Sequence, residues 1–540
     1  MAGPREPGKE PMGPFWHKML IVMCVGCILL FSFFVLMDMA NVMTRVKARC
    51  SNPIQELNSQ QFSKASIPLK DDETCVARTQ HLLYRKDPQR FTASAELDAA
   101  WKRYGELHRA CSFQKNLTHA FLHERKMKAH DDCNYLIMIE GAFGLGNHFL
   151  SLISAFTYAL ATDRVFLIDS RSLFAKLLCD PFPGSSWLLP VDFPYEEVAT
   201  APAFIHAIDS EFRDVDLLCL HLEHVQSWGD SQFFCDQNQL LLMDVQWLGW
   251  LSNQYFVTRL LMIPSLWERL HPIFPSTEDQ VFFHLSHRLL LPHNDIWARI
   301  LREYWSYISG SRTLVGLQIR LHGRKDPGAF DEEVLERILQ CLQSEKVLPE
   351  LVEKENIDAL SGFFLKRREG ELTSADIAVL VASLQIRFYE SLRDSYGAIP
   401  NAESAMIRFH TVSHLGRQDY TVQQAQLAFV EMWLLSFSDV LLTSPYSTFG
   451  YIPQAIGGLK PIILNIQRDN ITANGPQACF RGQSMEPCTH FPQKLACRGS
   501  KETAGHSNWI QNHIKECQDK EGGLQLVDHA EDPSSAQLWE

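Results

Sequence analysis

The segment VLLTSPYSTFGYIPQAIGGLKPIILNI, residues 440–466, carries the pattern from which the fold of this chain is predicted. An apolar run that ends at Leu442 predicts a buried strand, and a hydroxyl-rich turn over residues 443–451 leads from it to a short helix and a second apolar strand. This order is typical of an α/β protein. Because the N–H groups at a helix start attract anions, the turn is a candidate phosphate site, and a plain helix cap by Ser or Thr is the alternative.

The composition is that of a large globular protein. The chain has 540 residues, of which 46% are hydrophobic and 21% are charged. One large domain, or about two to three average domains, is expected at this length. The formal net charge is −13. This charge argues against a general nucleic-acid-binding function, because phosphate contacts require a basic surface.

An uncharged apolar run near the N-terminus predicts a membrane anchor. Residues 19–37 contain no charged side chain, which is enough for one membrane-spanning helix, and no small-residue cleavage site follows them. We therefore predict a cytosolic tail over residues 1–18, an uncleaved signal anchor from Met19 to Ala40, and a polar, partly helical stem over residues 41–110. Lys and Arg are balanced on the two sides of the run, so the positive-inside rule does not decide the orientation.

Cysteines and glycosylation sequons favour a lumenal location for the rest of the chain. Of the 14 cysteines, all but Cys24 and Cys27 lie outside the apolar run, a density typical of disulfide-bonded proteins in an oxidising compartment. Asn116 and Asn470 each begin an Asn-x-Thr sequon. The sequence thus predicts a single-pass type II protein of the secretory pathway.

Strands alternate with helices in the predicted lumenal body. A βαβ unit is predicted from a strand, a loop, a helix and a second strand, at residues 135–139, 140–148, 149–162 and 165–168. A further strand and helix are predicted at residues 314–321 and 424–438. We expect two doubly wound halves, over residues 111–310 and 311–540, the second with a cysteine-rich tail. A ligand would bind in the crevice between the halves, where parallel strands end.

The loop after the first predicted strand contains GLGNH, residues 144–148. Gly144 and Gly146 allow a ligand to approach the backbone, and the amide of Asn147 is a hydrogen-bond donor at the predicted helix start. A tight strand-to-helix turn without a ligand is the alternative, because a lone Gly-x-Gly is a weak signal.

The motif GLQIRLHGR, residues 316–324, overlaps the strand predicted at residues 314–321 and places an arginine near the end of that strand. A guanidinium among apolar neighbours is costly unless it meets an anion, and Arg320 can hold a diphosphate through two parallel hydrogen bonds. A buried ion pair with Asp or Glu is the alternative. Since the chain has no Gly-Lys-Ser/Thr motif of the Walker type, the three anion sites together favour a nucleotide-diphosphate donor over ATP.

These motifs lie within longer blocks that resemble the plant xyloglucan fucosyltransferase family. In chain order the blocks read EGAFGLGNHFLSLISAFTYALATDRVFLID, DVQWLGWLSNQYFVTRLLMIP, HRLLLPHNDIW, VGLQIR, SDVLLTSPYSTFGYIPQAIGGLKPIIL and SMEPC. Together they span residues 135–488, most of the predicted lumenal body. A chance match across so many ordered blocks is not expected.

The resemblance implies a GT-B-type glycosyltransferase with two Rossmann-like halves, the first on the acceptor side and the second on the donor side. It implies inverting transfer of L-fucose from GDP-L-fucose, without a metal or other cofactor, to galactose or arabinose. The acceptor would be a cell-wall polysaccharide or proteoglycan such as xyloglucan or arabinogalactan, with an α-1,2 linkage. A Golgi membrane location follows, and a homo-oligomer is left open. Protein O-fucosylation and a non-catalytic glycan-binding relative are the alternatives.

The resemblance also assigns roles to residues of this chain. Arg320 matches the arginine that contacts the donor pyrophosphate, and Asn147 and His148 lie in the glycine-rich loop near the transfer site, so these three are the catalytic candidates. The remaining donor-binding candidates are two glycines and the turn, namely Gly144, Gly146, Ser447, Thr448, Phe449, Gly450 and Tyr451.

The chain departs from the family pattern at three places. His148 stands where Arg is usual, Asn253 where Asp is usual, and Pro445 with Tyr446 where Ala-Trp is common. These departures put the identity of the acceptor in question.

The general base for the acceptor hydroxyl is left undecided among Asp419, Glu140 and His148. The DxD pair Asp214 and Asp216 resembles a metal-binding signature of another glycosyltransferase fold, but it lacks a matching nucleotide context. Several histidine pairs have ligand-like spacing without the Glu of a zinc helix, namely His221/His224, His284/His287 and His410/His414.

Overall fold

The structure is a computed structural model that describes part of the chain. The described residues are 75–88, 92–113, 115–125, 133–204, 215–223, 230–274, 280–321, 332–352, 376–398, 401, 403, 405–413, 421–466, 477–492, 497 and 504–528. The predicted tail and anchor, the sequon at Asn470 and the candidate base Asp419 lie outside these ranges. None of the helices within these ranges has both the length and the apolar character to cross a membrane.

Three sheets are present in the described ranges, built from strands of three to seven residues. The strands are β1 (Asn134–Ile139), β2 (Arg164–Ile168), β3 (Leu217–Leu222), β4 (Trp247–Ser252), β5 (Thr313–Ile319), β6 (Ile377–Ser383), β7 (Ile407–His410), β8 (Val440–Thr443), β9 (Ile462–Leu464), β10 (Cys479–Arg481), β11 (Ile514–Glu516) and β12 (Leu524–Leu526). β11 and β12 form a separate antiparallel pair.

The N-terminal sheet is wholly parallel, in the order β2-β1-β4-β3. Its strands are almost continuously apolar because both faces are covered, with Leu136 and Met138 in one core cluster and Tyr135 and Ile137 in another. β1 pairs with β2 on one side and with β4 on the other. The order of the strands therefore reverses between β1 and β4, and the loop after β1 opens at a topological switch point, where α/β proteins bind ligands.

The C-terminal sheet has the order β10-β9-β8-β5-β6-β7. β5 to β9 are parallel, and β10 runs antiparallel at one edge. β6 and β7 extend to one side of β5 while β8 and β9 extend to the other, which is the strand order of a Rossmann half. Its switch point lies between β5 and β8. The two parallel sheets confirm the predicted α/β class.

Helices connect the strands and cover the sheets. They are α1 (Val76–Gln80), α2 (Ala95–His108), α3 (Leu117–His119), α4 (Leu145–Ala161), α5 (Phe174–Leu177), α6 (Tyr195–Ala199), α7 (Asp236–Met243), α8 (Val257–Leu261), α9 (Pro264–Leu270), α10 (Val281–Leu289), α11 (Asn294–Glu303), α12 (Glu332–Ser344), α13 (Ile386–Ala398), α14 (Val422–Leu435), α15 (Thr448–Gly457) and α16 (Ala504–His513). Short 3-10 segments cover His81–Tyr84, Asp230–Phe234 and His271–Ile273, and π segments cover Arg109–Phe113, Ala120–Glu124 and Tyr304–Ile308.

Helix α4 belongs to the cores of both sheets. It packs on β1, β2 and β4, and it also contacts α14 and α15 of the C-terminal sheet. Phe149 of α4 lies 4.9 Å from Phe429 of α14, measured between ring centroids. Every residue of α4 except Asn147 is buried, as expected for a helix that is apolar all round. The helix begins four residues earlier than the predicted start at Phe149, because Gly144 takes the extended N-cap position.

The described part of the predicted stem is packed into the body. α2 lies within it, and Leu97, Ala100 and Tyr104 are buried. Tyr104 Oη donates a hydrogen bond of 2.6 Å to the carbonyl of Arg164, at the start of β2. The disulfide Cys75–Cys179 holds α1 to the same region. The apolar face of α2, rather than the polar average of the segment, decides where this stretch lies.

Disulfides confirm the prediction from cysteine density. Five are present among the described residues, namely Cys75–Cys179, Cys111–Cys133, Cys235–Cys497, Cys341–Cys479 and Cys488–Cys517. Cys219 is a buried free thiol. Cys235–Cys497 fastens the C-terminal segment to the body, and Cys488–Cys517 joins two parts of that segment.

Candidate active site

Two helix starts, one from each parallel sheet, meet at the switch points. α4 follows β1 and α15 follows β8. Thr448 Oγ1 donates a hydrogen bond of 2.7 Å to Asn147 Oδ1. The backbones are so close that a Cβ on Gly146 would lie 2.7 Å from the carbonyl carbon and oxygen of Thr448. Gly146 is therefore required by the contact between the helices.

Hydrogen bonds to Ser444 fix the backbone position of Arg320. The N–H of Ser444 donates to the carbonyl of Gln318 over 3.0 Å, and the N–H of Arg320 donates to Ser444 Oγ over 2.8 Å. These bonds extend the pairing of β5 and β8 beyond the last strand residues. Arg320 follows the end of β5 and is half-buried, so it does not lie inside an apolar strand as predicted.

A cavity of about 790 Å³ opens at this edge of both sheets. Residues 140–148 form one part of its wall, and Gln318, Arg320 and residues 447–449 form another. The remaining wall comes from residues 382–384 at the end of β6, Ser413 after β7, one face of α14, Ile319, and residues 171, 173 and 176. The volume lies in the range of small-molecule and cofactor sites.

Most of the predicted site residues lie on the cavity wall. They are Gly144, Gly146, Asn147, His148, Arg320, Ser447, Thr448 and Phe449. Gly450 and Tyr451 are instead buried in α15 beneath the wall. A Cβ on Gly450 would lie 2.7 Å from Gln318 Oε1, so this glycine lets α15 approach β5.

Ser447 occupies the N-cap position of α15, as the capping alternative predicted. Its side chain nevertheless accepts no capping hydrogen bond from the helix. The first N–H groups of any α-helix have no acceptor within the helix. The start of α15, with the residues Ser447, Thr448 and Phe449, therefore presents N–H donors and hydroxyls along the cavity wall, which suits an anion.

Asp519 supports this turn from outside the cavity. Tyr446 has a φ of +57°, a left-handed conformation that is unusual for a bulky residue. The Asp519 carboxylate accepts the N–H of Tyr446 over 2.9 Å and the hydroxyl of Tyr451 over 2.7 Å. The Tyr446 ring lies 4.2 Å from the His490 ring, between centroids. Asp519 follows Cys517, which the disulfide to Cys488 holds in place.

Replacing Asp519 by alanine is expected to weaken GDP binding, because the turn loses the acceptor that holds Tyr446 in its conformation. Leaving such donors unsatisfied costs about 1–3 kcal/mol, part of which should appear as lower affinity. The GDP affinity of Asp519→Asn, which keeps one acceptor oxygen, should lie between those of Asp519→Ala and the unaltered protein. GDP titration calorimetry checks this, with the exposed Glu521→Ala as control. Equal GDP affinity in Asp519→Ala and in the unaltered protein would exclude this role.

Glu140, one of the candidate bases, immediately follows β1 and lines the cavity. Its two carboxylate oxygens share the N–H of Leu173, at 3.0 and 3.1 Å. Its own N–H donates to Tyr195 Oη over 3.0 Å. Burial raises the pKa of the Glu140 carboxyl; the Leu173 N–H opposes the rise, Asp169 adds to it and Lys176 opposes it.

Glu431 is a cavity carboxyl that the sequence prediction missed. It lies on α14, buried, and its Oε1 accepts the N–H and the hydroxyl of Ser413 at 3.0 and 2.9 Å. Burial raises the pKa of this carboxyl to about 7, while the hydrogen bonds from Ser413 and the charge of Arg299 act to lower it. An acid between Val430 and Met432, in an otherwise apolar run, is the signal that could have identified it.

The metal-like patterns in the sequence do not form a site among the described residues. No group of three or more His, Cys, Asp or Glu side chains there could hold a metal ion. His287 instead contacts the carbonyl of Ile456 at 2.9 Å, and His410 pairs with Glu303 at 3.0 Å. Asp214, His224 and His414 lie outside the described ranges.

Comparisons with known proteins decide the family. A sequence profile described as xyloglucan fucosyltransferase matches residues 36–498. The chain belongs to this family. It is 34% identical over 486 residues to a galactoside 2-alpha-L-fucosyltransferase of Pisum sativum, covering 85% of this chain and 80% of that one. It is 35% identical over 473 residues to a protein of the same name from Arabidopsis thaliana, covering 85% and 81%.

A solved structure of the family shares the fold. This is an Arabidopsis thaliana FUT1 mutant in complex with GDP, with a TM-score of 0.71 and 33% identity, covering 86% of this chain and 98% of that one. The present chain is therefore a fucosyltransferase, an enzyme that uses a nucleotide-sugar donor and a glycan acceptor.

The departures from the family pattern lie at different distances from the cavity of this fucosyltransferase. His148 is on the wall, and burial lowers its pKa to about 4, so its imidazole is neutral near pH 7 and cannot replace an arginine charge. Asn253 accepts a hydrogen bond of 2.9 Å from the Gln254 side chain and is not on the wall. Tyr446 contacts the C-terminal segments, so that departure concerns the support of the turn.

Proposed function

We propose that the enzyme transfers L-fucose from GDP-L-fucose to a galactose hydroxyl of a cell-wall glycan, forming an α-1,2 linkage with inversion. The observation that carries the proposal is the convergence of Arg320 and the start of α15 on one cavity wall, at the switch point between β5 and β8. GDP in the related FUT1 structure and the names of the galactoside-specific relatives support it. Arabinose remains a second acceptor to test.

In this proposal the diphosphate lies against Arg320 and the first turn of α15. The guanidinium would donate two parallel hydrogen bonds, and the Ser447 hydroxyl and the helix N–H groups would donate the others. Donors held in place before the reaction stabilise the charge that develops on the departing GDP without reorganisation. We propose that these protein groups, rather than a metal ion, neutralise the leaving group.

The guanine would occupy the end of the cavity that α14 lines. Ala425 and Ala428 offer small side chains on the same helix face as Glu431, at intervals of three residues. No described residue donates a hydrogen bond to Glu431 Oε2. An ionised carboxylate at this place can accept the N1–H and the amino group of guanine, which adenine cannot match. The base end and the phosphate end of the site are thus chemically distinct.

The proposed location is the Golgi membrane, with a type II topology. The uncharged run that begins at Met19 is the predicted anchor. Five disulfides are consistent with folding in an oxidising lumen. Asn116 is exposed and accepts the His119 N–H through Oδ1, which leaves its amide nitrogen accessible to a glycan.

Transfer from labelled GDP-fucose by the full-length protein in detergent tests the proposal. Xyloglucan from which fucose has been removed, arabinogalactan and a peptide panel would serve as acceptors, with linkage analysis of the product. We expect α-1,2-fucosylated galactose. Product on peptides alone would contradict the acceptor assignment in favour of protein O-fucosylation. Neither transfer nor GDP binding would reject the enzymatic function and favour a glycan-binding relative.

A further inference from the structure

Two carboxyl groups line the cavity within the described residues, and they come from different sheets. Glu140 follows β1 of the N-terminal sheet, whereas Glu431 lies on α14, the helix that leads into β8. Arg320 and the start of α15 line the same cavity. Because Thr448 at the start of α15 contacts Asn147 over 2.7 Å, a diphosphate bound there would bring the fucosyl group close to residues 140–148.

Glu140 is held in a defined position but keeps accepting capacity. One N–H, that of Leu173, is shared between its oxygens, so each oxygen retains a lone pair for a further donor. Its backbone is fixed by the β1 ladder and by Tyr195. These constraints place a carboxylate at the cavity wall with little conformational freedom, as a proton-accepting group requires.

The charges around Glu140 balance one another. Lys176 of α5 and Arg171, both exposed, lie on the same part of the cavity wall. Arg171 is itself paired with Asp169, which follows β2, at 3.1 Å. Burial is the largest cause of the raised pKa of Glu140, with Asp169 adding to it and the Leu173 N–H and Lys176 opposing it. The raised pKa makes the Glu140 carboxylate a stronger base than an exposed glutamate.

The other titratable groups on the wall suit this task less. His148 is buried against Phe143 and Phe174. Burial lowers its pKa to about 4, so the imidazolium cation that a base would form by accepting a proton is unfavourable here. Arg320 is a permanent cation. Glu431 already accepts two hydrogen bonds from Ser413 and lies at the proposed base end of the donor.

We propose that Glu140 is the general base that removes the proton from the acceptor hydroxyl, an assignment that rests on the proposed fucosyl transfer. The acceptor oxygen forms a bond to C1 of fucose as the bond between C1 and the β-phosphate oxygen breaks. The electron pair of the broken bond leaves with GDP. The acceptor proton passes to the Glu140 carboxylate, and solvent removes it after product release.

The test compares two isosteric variants of the full-length enzyme, E140Q and E431Q. Loss of a general base lowers kcat by about 10²–10⁴-fold, so we expect this loss in E140Q with its GDP affinity unchanged. We expect E431Q to weaken GDP binding and raise KM for GDP-fucose. E106Q, an exposed glutamate on α2 outside the cavity wall, serves as the matched control. Thermal unfolding checks that each variant is folded.

The pH profile separates a base from a structural role. A base acts in its ionised form, so kcat/KM of the unaltered enzyme should fall as pH drops through the raised pKa of Glu140, and E140Q should lack this acidic limb. E140D keeps a carboxylate at a shorter reach and should retain a shifted limb. If E140Q does not fold, the acidic limb of the E140D pH profile tests the proposal instead. A shifted limb supports Glu140 as the base, and an unshifted limb overturns the proposal.

Several results would overturn the assignment without touching the proposed function. Transfer by E140Q at nearly the original kcat would do so, as would an unchanged acidic limb. Loss of GDP binding in E140Q would make Glu140 part of the donor site instead. Inactivity of the unaltered enzyme with every acceptor would, by contrast, reject the proposed function itself.

Discussion

Arg320→Ala is expected to abolish measurable GDP binding while the protein remains folded. Hydrogen bonds to charged groups contribute about 1.5–3 kcal/mol each, so a guanidinium that makes two of them to a diphosphate accounts for about 3–6 kcal/mol. This corresponds to roughly 10²–10⁴-fold in affinity. The fold should persist, because Arg320 is half-buried at the end of β5 rather than inside a strand. Titration calorimetry with GDP, together with thermal unfolding, measures both effects.

Arg320→Lys distinguishes charge from geometry in the same experiment. Lysine keeps the positive charge but not the planar fork, so we expect partial recovery of affinity at most. Arg312→Ala is the matched control, since Arg312 immediately precedes β5 at its opposite end and 83% of its side chain is exposed. Near-normal GDP affinity in Arg320→Ala would show that the diphosphate lies elsewhere.

Gly146→Ala is expected to reduce both activity and stability, because the added methyl group forces α4 and α15 apart. Its Cβ would lie 2.7 Å from backbone atoms of Thr448 and 2.9 Å from Thr448 Oγ1, and a backbone cannot yield as a flexible side chain does. Overpacking of this kind costs about 1–3 kcal/mol in stability. The displaced start of α15 would carry the Asn147 contact and the anion-binding N–H groups with it. We expect a lower melting temperature and a higher KM for GDP-fucose.

Gly397→Ala provides the matched control. Gly397 lies in α13, where an added Cβ would meet no atom within 4 Å. The same chemical change there should be neutral or should stabilise the protein by about 0.4–1 kcal/mol through the unfolded chain. Unchanged stability and kinetics in Gly146→Ala would show that the helix starts tolerate separation and that their contact does not set the donor site.

The sequence identified many residues of the cavity wall because their signals are local. A strand that ends in a hydroxyl-rich turn, as at Thr443, and an arginine after an apolar run, as at Arg320, can each be recognised within about ten residues. Parallel strands then bring such ends to one sheet edge without further information. The exact helix starts were less predictable. The first turns of α4, after Gly144, and of α15, after Ser447, contain glycine and polar residues, which in sequence look like part of the preceding loop.

Residues whose roles depend on distant partners were missed or misassigned. Glu431 is held by hydrogen bonds from Ser413, and Asp519 by hydrogen bonds from Tyr446 and Tyr451. No local sequence pattern predicts either pairing. Tyr451 was predicted to contact the donor because it belongs to the turn, yet its hydroxyl faces the C-terminal segment. Similarly, the polar average composition of residues 41–110 placed α2 in a stem, although Leu97, Ala100 and Tyr104 of this helix are buried.

The support that Asp519 gives to the donor turn has a consequence for biosynthesis. Synthesis proceeds from the N-terminus, so the ribosome adds Glu140, Arg320 and Thr448 long before Asp519. The turn over residues 443–451 therefore cannot reach its final shape on a nascent chain, and the Cys488–Cys517 bridge closes only after Cys517 has been added. A chain that ends before Asp519 would lack the acceptor that holds the Tyr446 N–H and the Tyr451 hydroxyl.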